Sequence, residues 1–490
     1  MMLLSELIAR LEDVTVESFT DGCVRSVEEN SKSVLVGSVF VARRGVRFDG
    51  NDFIDEAVSR GAVAVVTEKR NVEKMPVTTI FSKNASKTMA EIAKVLYSEA
   101  LCNMTIIGIT GTKGKTTTLK ILSECILSKE KAIVTIGTLG VEICTNVREV
   151  YTTENTTPNS AFIYKTLYRA YTLGVRYAVI EVSSQALSEY RVYGIPFTVC
   201  IFTNISRDHI GANEHKSFDD YLSAKRSLFS EYNADFAVVN ADDKNYALVT
   251  EGCPRVIKVG SGCEYEYAHI GDSLGSTSFS LNGKIFTLSL GGAFNGMNAA
   301  LALCASSLLL GCDISEFSEC LKSVTVPGRY EVYSLGAFKV VIDFAHNGHS
   351  VASLLESVRQ HTEGRLILVF GSVGERCRSR RAELALAAER LADISVITAD
   401  NPGREPTFSI CNEIFSHFTD RSRAVIVTDR ERAIIYAISL AKSGDTVLLV
   451  GKGQENYQLT AEGRVYFSER AIIEKLGAVR DSDSSAFAKK

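Results

Sequence analysis

The chain of 490 residues is 46% hydrophobic and 23% charged, which is typical of a globular protein with two to four domains. Its net charge of −4 excludes a bulk electrostatic preference for nucleic acid, and no apolar run of about 18 residues is evident, so we expect no membrane insertion. The 12 cysteines contain no Cys-x-x-Cys pair, and Met1–Arg10 lacks the pattern of a signal peptide. We therefore expect a cytoplasmic protein with reduced thiols, and a monomer.

The first hundred residues predict a small N-terminal α/β domain. Ser38–Ala42 and Gly61–Val66 are short β-branched runs, and Asp52–Ser59 between them is typical of a helix. Ala85–Glu99 predicts an amphipathic helix that leads into the next domain. Ser31 lies in a polar loop before a strand, where a serine alone is more often a turn residue than a ligand contact.

The most informative stretch is Ile106–Thr118, where an apolar run meets a glycine-rich turn and then a helical pattern. Gly111-Thr112-Lys113-Gly114 would turn backbone N–H groups toward a phosphate at the helix N-terminus. Lys115 would reach the outer phosphates, and Thr116 would offer its hydroxyl to Mg²⁺. Ile109 stands where the strict pattern has glycine, so the loop is a variant of that pattern. We prefer a phosphate loop to a ligand-free turn because Gly114-Lys115-Thr116 lies where strand and helix meet.

Polar side chains follow the next predicted strands at their C-terminal ends. Glu181 ends the run from Tyr177, and Asp208-His209 follow the strand Val199–Asn204. Because ligands bind at this edge of open α/β sheets, these residues are metal-ligand candidates. The dense hydroxyls and amide of Thr152–Pro158 suit a sugar or phosphate contact, although polar loops often have this composition without a function. Lys225, on a helical stretch, would by itself be a surface lysine.

The remainder of the chain predicts a β-rich extension and a second doubly wound sheet. Residues 255–293 alternate as short strands, Phe294–Leu301 opens an apolar helix, and Val326–Tyr330 marks a domain boundary. Polar clusters then follow four strands and would outline one cleft. These clusters are Asp343–Asn347, Gly371–Arg376, Asp400–Glu405 and Gly451–Glu455. The polar tail, Val479–Lys490, is expected to be disordered.

Read together, these motifs resemble the Mur ligases, ATP-dependent ligases of peptidoglycan precursor synthesis. The resemblance rests on the order of the phosphate loop, Glu181–Ser184, Thr203-Asn204 to His209, Ala224-Lys225, Asn295–Asn298, Pro327–Arg329, Asp343–His346 and Asp400–Pro402. It implies an α/β fold with a UDP-substrate domain at 1–100, a central P-loop-type mononucleotide-binding sheet at 101–328 and a C-terminal Rossmann-like ligase domain at 329–490. The first and last domains' motifs are similar to those of the members that add the third peptide residue.

The resemblance also implies the roles of particular residues. ATP would be bound between the second and third domains, and its phosphates would be held by Gly111, Thr112, Lys113, Gly114, Lys115, Thr116 and Thr117, with Asn298 and Arg329 on the nucleotide. Mg²⁺ would be held by Thr116, Glu181, His209 and Lys225, the last as a carbamate (N6-carboxylysine). Lys115, Lys225, His209, Asp343 and His346 would form the catalytic set.

For the substrates, the resemblance implies a UDP-N-acetylmuramoyl-L-alanyl-D-glutamate contact by Ser31, Asn155, Thr156, Thr157, Ser183 and Arg191. Its D-Glu carboxylate would be activated as an acyl-phosphate, which the amine of a diamino acid then attacks. That amino acid would be held by Arg381, Asp400, Asn401, Arg404, Gly451 and Glu455. Members that use meso-diaminopimelate usually have arginine after Asn-Pro; here Gly403 intervenes and Arg404 is one position late, so meso-diaminopimelate and L-lysine both stay open.

Two alternatives stay open, one from another functional class and one a ligase of the same fold on a different substrate. A non-catalytic nucleotide-binding regulator would be expected to lack Lys115, Glu181, His209 or Lys225, and all four are present. A ligase acting on another carboxylate, such as a folylpolyglutamate synthetase, would share the phosphate loop but not the first- and third-domain motifs.

Overall fold

The computed structural model describes residues 2–45, 48–70, 75–207, 215–232, 234–375 and 378–481. Contacts divide the chain into two compact units. The first unit comprises Met1–Tyr265 with Leu301–Gly311, and the second comprises Glu266–Ala300 with Cys312–Lys490. The α/β fold class is confirmed, whereas the division into three domains stays a prediction.

The N-terminal segment forms a five-stranded sheet, as its β-branched runs predict. The central strands pair in parallel and are buried on both faces, which explains why they are continuously apolar rather than alternating. The strands are β1 Met2–Leu3, β2 Val14–Ser18, β3 Cys23–Val24, β4 Ser26–Glu28, β5 Ser38–Ala42, β6 Ala62–Thr67 and β7 Thr78–Ser82, with sheet order β2-β7-β6-β5-β4. The helices are α1 Leu4–Ile8, α2 Ile54–Ser59, α3 Ala85–Leu96 and α4 Ser98–Asn103, with 3-10 turns at Ser31–Ser33 and Gly50–Phe53.

The next segment forms a mostly parallel sheet around the strand that precedes the phosphate loop. The strands are β8 Thr105–Thr110, β9 Ile133–Gly137, β10 Gly140–Cys144, β11 Arg148–Tyr151, β12 Tyr177–Glu181, β13 Val199–Phe202, β14 Phe236–Asn240 and β15 Val256–Gly260. The helices are α5 Lys115–Leu127, α6 Ser160–Thr172, α7 Ser184–Ser188, α8 Phe218–Ser230 and α9 Tyr246–Val249.

The order of these strands is β11-β10-β9-β12-β8-β13-β14-β15, so β8 lies between β12 and β13. The chain leaves β8 toward β9 on one side and later returns to β13 on the other. The C-terminal end of β8 is therefore a switch point, where open α/β sheets bind their ligands.

The predicted β-rich extension is confirmed as an antiparallel meander of β16 Tyr265–Asp272, β17 Thr277–Leu281 and β18 Lys284–Leu288. It is followed by α10 Ala293–Leu310, the 3-10 turn Ile314–Phe317 and α11 Ser318–Leu321. The apolar stretch in α10 is longer than expected from the sequence, where no apolar run of about 18 residues was evident. Among the described residues, this is the one helix long and apolar enough to cross a membrane, and 67% of it is buried inside the protein, as in a core helix.

The C-terminal segment contains the predicted second doubly wound sheet, in which five strands pair in parallel. The strands are β19 Glu331–Leu335, β20 Phe338–Asp343, β21 Leu366–Phe370, β22 Ile394–Ile397, β23 Ala424–Ile426, β24 Thr446–Val450, β25 Tyr457–Thr460, β26 Gly463–Tyr466 and β27 Val479–Arg480. The helices are α12 Gly348–Arg359, α13 Ser379–Leu391, α14 Thr407–Ser416, α15 Arg430–Leu440 and α16 Glu469–Lys475, with a 3-10 turn at Arg421–Arg423. The sheet order is β23-β22-β21-β24-β20-β19-β27.

The start of the expected disordered tail is instead ordered. Arg480 pairs with Tyr333 of β19, and the Asp481 carboxylate accepts hydrogen bonds from Ser334 and Lys339 at 2.6 and 2.7 Å. The prediction of disorder is wrong for Val479, Arg480 and Asp481, because their backbone and side-chain partners lie far away in sequence. Residues 482–490 are outside the described part of the chain.

Candidate active site

The phosphate loop turns between β8 and α5 because two glycines adopt backbone angles that other residues rarely take. Gly111 has φ +151° and Gly114, at the helix N-cap, has φ +87°. A Cβ atom at Gly111 would lie 1.9 Å from Thr203 Oγ1. Glycine at 111 is therefore a steric requirement of the neighbouring strand β13 as well as of the turn.

Strand β13 also shapes this loop through hydrogen bonds. The Asn204 side chain accepts from Lys113 N at 3.0 Å and donates to Lys113 O at 3.1 Å. Thr203 Oγ1 donates to the same carbonyl at 2.6 Å, and Thr112 N donates to Asn204 O at 2.8 Å. Thr203 and Asn204 were expected as a strand end and as part of a family motif, and their part in holding the loop was not predicted.

The predicted phosphate-binding side chains are brought together at the start of α5. Lys115 Nζ donates to Gly111 O at 2.8 Å and to Thr112 O at 3.2 Å, so it folds back over the loop. Thr116 and Thr117 are buried. The Thr112 hydroxyl lies 3.0 Å from the Tyr221 hydroxyl, so its side chain contributes to the packing of α8.

Glu181 lies at the predicted position, at the C-terminal end of β12, and is only 1% exposed. Its Oε2 accepts a hydrogen bond from Thr116 Oγ1 at 3.1 Å, and its Oε1 accepts one from Thr138 N at 2.9 Å. A carboxylate beside a hydroxyl is the oxygen donor set that Mg²⁺ prefers, so these residues fit the cation that the resemblance implies. Thr138 was missed; the only sequence signal was a Gly-Thr pair at a strand end.

The second part of the predicted metal site lies outside the described residues, because Asp208 and His209 fall in the stretch 208–214. Within the described ranges, no group of three His, Cys, Asp or Glu side chains has a metal-binding arrangement. Among the described residues, the part of the predicted metal site that can be seen is therefore the pair Thr116 and Glu181.

Lys225 is not the surface lysine that its local sequence indicates. It is 1% exposed on α8, and its Nζ donates to Gly111 O at 3.0 Å. The same ammonium lies 4.7 Å from the ring centroid of Tyr221. The fold thus places a buried lysine directly beside the phosphate loop.

Four of the five predicted acceptor-substrate residues of this segment meet around the loop that precedes α6. Thr157 Oγ1 donates to Glu181 O at 2.8 Å and accepts from Ser183 N at 3.1 Å. Arg191 Nη1 donates to Thr157 O at 2.7 Å. The Thr156 and Thr138 hydroxyls lie 3.0 Å apart. Asn155 is exposed on the same loop.

Ser31 belongs to a neighbouring loop of the N-terminal sheet and donates a hydrogen bond to Glu56 Oε2 at 2.6 Å. Two residues earlier, Glu29 accepts from Asn159 Nδ2 at 2.6 Å and is paired with Arg43. Asn159 also caps α6 by accepting from Phe162 N. The Ser31 loop and the acceptor loop are therefore tied together by Glu29, which no motif indicated.

In the second unit, Asp343 and His346 lie at the end of β20, as predicted. Asp343 Oδ2 accepts from Tyr330 N at 2.9 Å and Oδ1 accepts from Ala345 N at 2.7 Å. The His346 Nδ1 lies 2.9 Å from Phe344 O. Tyr330 has φ +48°, unusual for a side-chain-bearing residue, and its bond to Asp343 holds that conformation.

The two predicted nucleotide contacts of this unit are hydrogen-bonded to nearby side chains. Arg329 places its guanidinium 4.4 Å from the Phe344 ring centroid and donates to Gln454 Oε1 at 3.2 Å. Asn298 is buried and donates to Asn295 Oδ1 at 3.1 Å.

The motif after β22 meets the motif after β24, as predicted from the parallel sheet. Asn401 Nδ2 donates to Glu455 Oε2 at 3.0 Å. Lys452, fully buried, donates to Asn401 Oδ1 at 2.8 Å and to Glu455 Oε2 at 2.5 Å. Gly451 leaves room for Asp400, because a Cβ there would lie 2.9 Å from Asp400 Oδ2. Lys452 was missed because it has no distinctive spacing.

The structure corrects the role predicted for Arg381. This residue is 1% exposed and donates two bonds to Glu405, at 2.8 and 2.7 Å, and one to Glu413 at 2.6 Å. The bond from Arg381 lowers the pKa of Glu405, and the same bond raises the pKa of Arg381. The positive charge of Arg381 is compensated by Glu405 and Glu413 inside the protein. Arg381 therefore holds the Glu405 segment in place instead of presenting its charge to an amino acid.

Arg404 is exposed, and within the described ranges its side chain makes no hydrogen bond or ion pair. Gly403, with φ +61°, turns the chain just before it. Arg404 lines a cavity of about 400 Å³ beside the N-termini of α14 and α15. The same cavity is lined by the acidic residues Glu405, Asp429, Glu431 and Glu462.

Fold and site together define the class: an α/β protein with a phosphate loop and a carboxylate on the neighbouring strand. Three family models match in succession: "Mur ligase family, catalytic domain" over residues 24–99, "Mur ligase middle domain" over 109–306, and "Mur ligase, glutamate ligase domain" over 328–453.

Proteins similar over most of the chain support the same family. The chain is 35% identical over 460 residues to the UDP-N-acetylmuramoyl-L-alanyl-D-glutamate--2,6-diaminopimelate ligase of Aquifex aeolicus (strain VF5), covering 92% of this chain and 93% of that protein. It is 34% identical over 488 residues to the ligase of the same name from Geobacillus thermodenitrificans (strain NG80-2), and the match covers 96% of this chain and 98% of that protein. A solved structure of a ligase with that name matches with a TM-score of 0.63 and 26% identity, covering 92% of this chain and 94% of that one.

The chain therefore belongs to the Mur ligase family, and the resemblance inferred from its motifs is confirmed.

Proposed function

We propose that this protein is an ATP-dependent ligase that joins diaminopimelate to UDP-N-acetylmuramoyl-L-alanyl-D-glutamate in peptidoglycan synthesis. The relatives that are 35% and 34% identical over nearly the whole chain carry the name of this reaction. The observation that carries the proposal is the Thr116 hydroxyl 3.1 Å from the Glu181 carboxylate, beside Lys115. That arrangement joins a phosphate-binding turn to a cation-binding carboxylate, which is what phosphoryl transfer to a carboxylate requires.

The residues of the phosphate loop would bind and orient ATP. Backbone N–H groups of Gly111–Thr117 at the start of α5 would receive the phosphates, and Lys115 would exchange its carbonyl partners for phosphate oxygens. Thr116 and Glu181 would hold Mg²⁺, which when bound offsets the negative charge that gathers during transfer. Asn298 and Arg329 would contact the nucleotide, and Asp343 and His346, at the end of β20, would belong to the catalytic set.

The chemistry then follows from the two substrates. The D-Glu carboxylate of the acceptor attacks the γ-phosphorus of ATP, the bond to ADP breaks, and an acyl-phosphate forms. The amine of the incoming amino acid attacks the acyl carbon and loses a proton, and inorganic phosphate leaves as the amide forms. Lys115 would stabilise the charge on the transferring phosphoryl group throughout the first step.

Lys225 would act as its carbamate. A neutral amine at Nζ adds to CO₂ to form an N–C bond and releases a proton, which converts a cation into an oxygen ligand. The buried position of Lys225 beside Gly111 supports this role, because a carbamate there would lie next to the phosphate loop. The carbamate oxygens of Lys225 and the side chain of His209 would hold a second Mg²⁺.

The acceptor substrate would bind along the two loops that Glu29 ties together. Ser31 would contact the uridine end, and Thr156, Thr157, Ser183, Arg191 and Asn155 would hold the muramoyl-dipeptide. The hydrogen bonds already present among these residues favour a preformed acceptor site, which lowers the entropic cost of binding.

The incoming amino acid would be held by Asp400, Asn401, Gly451 and Glu455, with Arg404 at its distal end. Diaminopimelate ends in an ammonium and a carboxylate, whereas L-lysine ends in an ammonium alone. The cavity is lined by two arginines, Arg404 and Arg430, and by four carboxylate residues, so it suits a group with both charges. The turn at Gly403 would let Arg404 replace the arginine that other members carry one position earlier.

Phosphate release by the purified protein tests the proposal. We expect release from ATP to require UDP-N-acetylmuramoyl-L-alanyl-D-glutamate and meso-diaminopimelate together, with the tripeptide product seen by mass spectrometry. Replacing diaminopimelate by L-lysine or L-ornithine should lower kcat/KM at least tenfold. Release that needs neither substrate would overturn the ligase assignment, and a preference for L-lysine would overturn the choice of amino acid.

A further inference from the structure

The Gly137-Thr138 turn between β9 and β10 is built around the Glu181 carboxylate. Thr138 N donates to Oε1 at 2.9 Å, and Thr138 Oγ1 donates to Oε2 at 3.0 Å. A Cβ atom at residue 137 would lie 2.3 Å from Glu181 Oε1, so only glycine lets the carboxylate approach the turn. Thr138 alone therefore holds both carboxylate oxygens of Glu181, one through its backbone N–H and the other through its hydroxyl.

The same hydroxyl reaches the acceptor loop. Thr138 Oγ1 lies 3.0 Å from Thr156 Oγ1. A threonine hydroxyl has one proton and two lone pairs, and the carboxylate can only accept. Thr138 therefore donates to Glu181 and accepts from Thr156, so the hydroxyls form a directed chain from the acceptor loop to the carboxylate. Such chains are strengthened by mutual polarisation inside a protein.

A second contact joins the same two elements. Thr157 Oγ1 donates to Glu181 O at 2.8 Å, so neighbouring threonines of the acceptor loop contact the carboxylate residue through its backbone and, by way of Thr138, through its side chain. Any displacement of the acceptor loop would therefore be transmitted to the orientation of Glu181.

We propose that Thr138 is a positioning residue that orients Glu181 toward the cation and couples cation binding to occupancy of the acceptor loop. This inference rests on the proposed function for the identity of cation and acceptor. Groups that orient a metal ligand through a hydrogen bond typically contribute 10- to 100-fold to metal affinity.

Thr138→Val removes the hydroxyl while keeping shape and backbone N–H, and Thr138→Ser keeps the hydroxyl. Thr135→Val, three residues earlier on β9, is the matched control. The full-length protein would be titrated with Mn²⁺ in the presence of ADP and followed by electron paramagnetic resonance, with and without UDP-N-acetylmuramoyl-L-alanyl-D-glutamate. Circular dichroism would verify folding.

We expect Thr138→Val to raise the Mn²⁺ dissociation constant about tenfold. In the unmodified protein we expect the acceptor to tighten Mn²⁺ binding, and Thr138→Val should abolish that tightening. Thr138→Ser and Thr135→Val should behave like the unmodified protein. If Thr138→Val does not fold, Thr138→Ala serves the same comparison.

Unchanged Mn²⁺ binding in Thr138→Val or Thr138→Ala would overturn the orienting role, and so would a Thr138→Ser variant as impaired as Thr138→Val. If the acceptor still tightened Mn²⁺ binding to the Thr138→Val variant, Thr138 would not couple the two sites. These outcomes are separable from failure of the proposed function, because the Mn²⁺ titration with ADP needs neither turnover nor the incoming amino acid.

Discussion

The side-chain amide of Asn204 is hydrogen-bonded to both backbone groups of Lys113, accepting from its N–H at 3.0 Å and donating to its carbonyl at 3.1 Å. The amide thus pairs with the backbone of the phosphate loop as a residue of a neighbouring strand would, just beyond the end of β13. The conformation of the loop is set by its neighbour in the sheet as much as by its own glycines.

Asn204→Ala should weaken ADP binding about tenfold, because two hydrogen bonds with a net worth of roughly 1 kcal/mol each hold the loop in its binding shape. Isothermal titration calorimetry would measure the change. Asn240→Ala is a suitable control, because Asn240 donates to Thr203 O at 2.9 Å without touching the loop. Equal affinity for ADP in the Asn204 variant would refute the idea that β13 shapes the loop.

Lys225→Ala should lower kcat on the order of 100-fold or more, because a ligand of the second cation is lost. Short carboxylates such as formate should restore part of the activity by supplying the missing oxygens. Lys120→Ala, a change to a lysine paired with Glu124 on α5, should leave turnover intact. Full activity of the Lys225 variant without added carboxylate would contradict the carbamate role.

Arg404→Ala should raise KM for diaminopimelate about tenfold or more, because a charge-assisted hydrogen bond contributes about 1.5–3 kcal/mol. KM for the UDP-substrate and the weak use of L-lysine should not change. Arg421→Ala, at an exposed arginine of a 3-10 turn, is the control. An equal effect of Arg404→Ala on both amino acids would exclude recognition of the distal carboxylate.

Arg381→Met should destabilise the protein in a pH-dependent way. The pKa of Glu405 is lowered from its ordinary value of 4.5 by its bond to Arg381. A carboxyl with a lowered pKa contributes stability that is present above its unfolded pKa and is lost as pH falls through the folded pKa. The difference in urea midpoint between the two proteins should therefore be largest near neutral pH and shrink below pH 4.5. A difference independent of pH would contradict this.

The fully buried Arg430–Glu469 pair permits a double-mutant test. Arg430 Nη2 donates to Glu469 Oε1 at 2.7 Å, and Arg430 also donates to Ala399 O and Val450 O, at the ends of β22 and β24. Arg430→Met should cost about 3–5 kcal/mol because it strands a buried carboxylate. Adding Glu469→Leu should cost less than the sum of the single changes, as judged from the thermal midpoints. Strict additivity would rule out coupling between the two charges.

The sequence by itself determined the α/β class, the phosphate loop and the strands that carry the site. Periodicity and glycine spacing are local properties. The polar residues after β8 and β12 identify a ligand-binding edge in one sheet, and those after β20 and β22 identify one in the other, because the parallel strands of a sheet all end on one side. The family followed from the order of those motifs.

Only the tertiary structure decided which side chains are available. Lys225 and Arg381 are both basic residues on helices. The fold buries Lys225 beside the phosphate loop, whereas it pairs Arg381 with the carboxylates of Glu405 and Glu413. Thr138 and Lys452 carry no distinctive spacing, and the motif that contains Asn204 did not indicate its role. Each of the three acquires that role from a partner at least 40 residues away. Hydrogen bonds between distant segments form only when the chain has folded, so no local pattern could have revealed them.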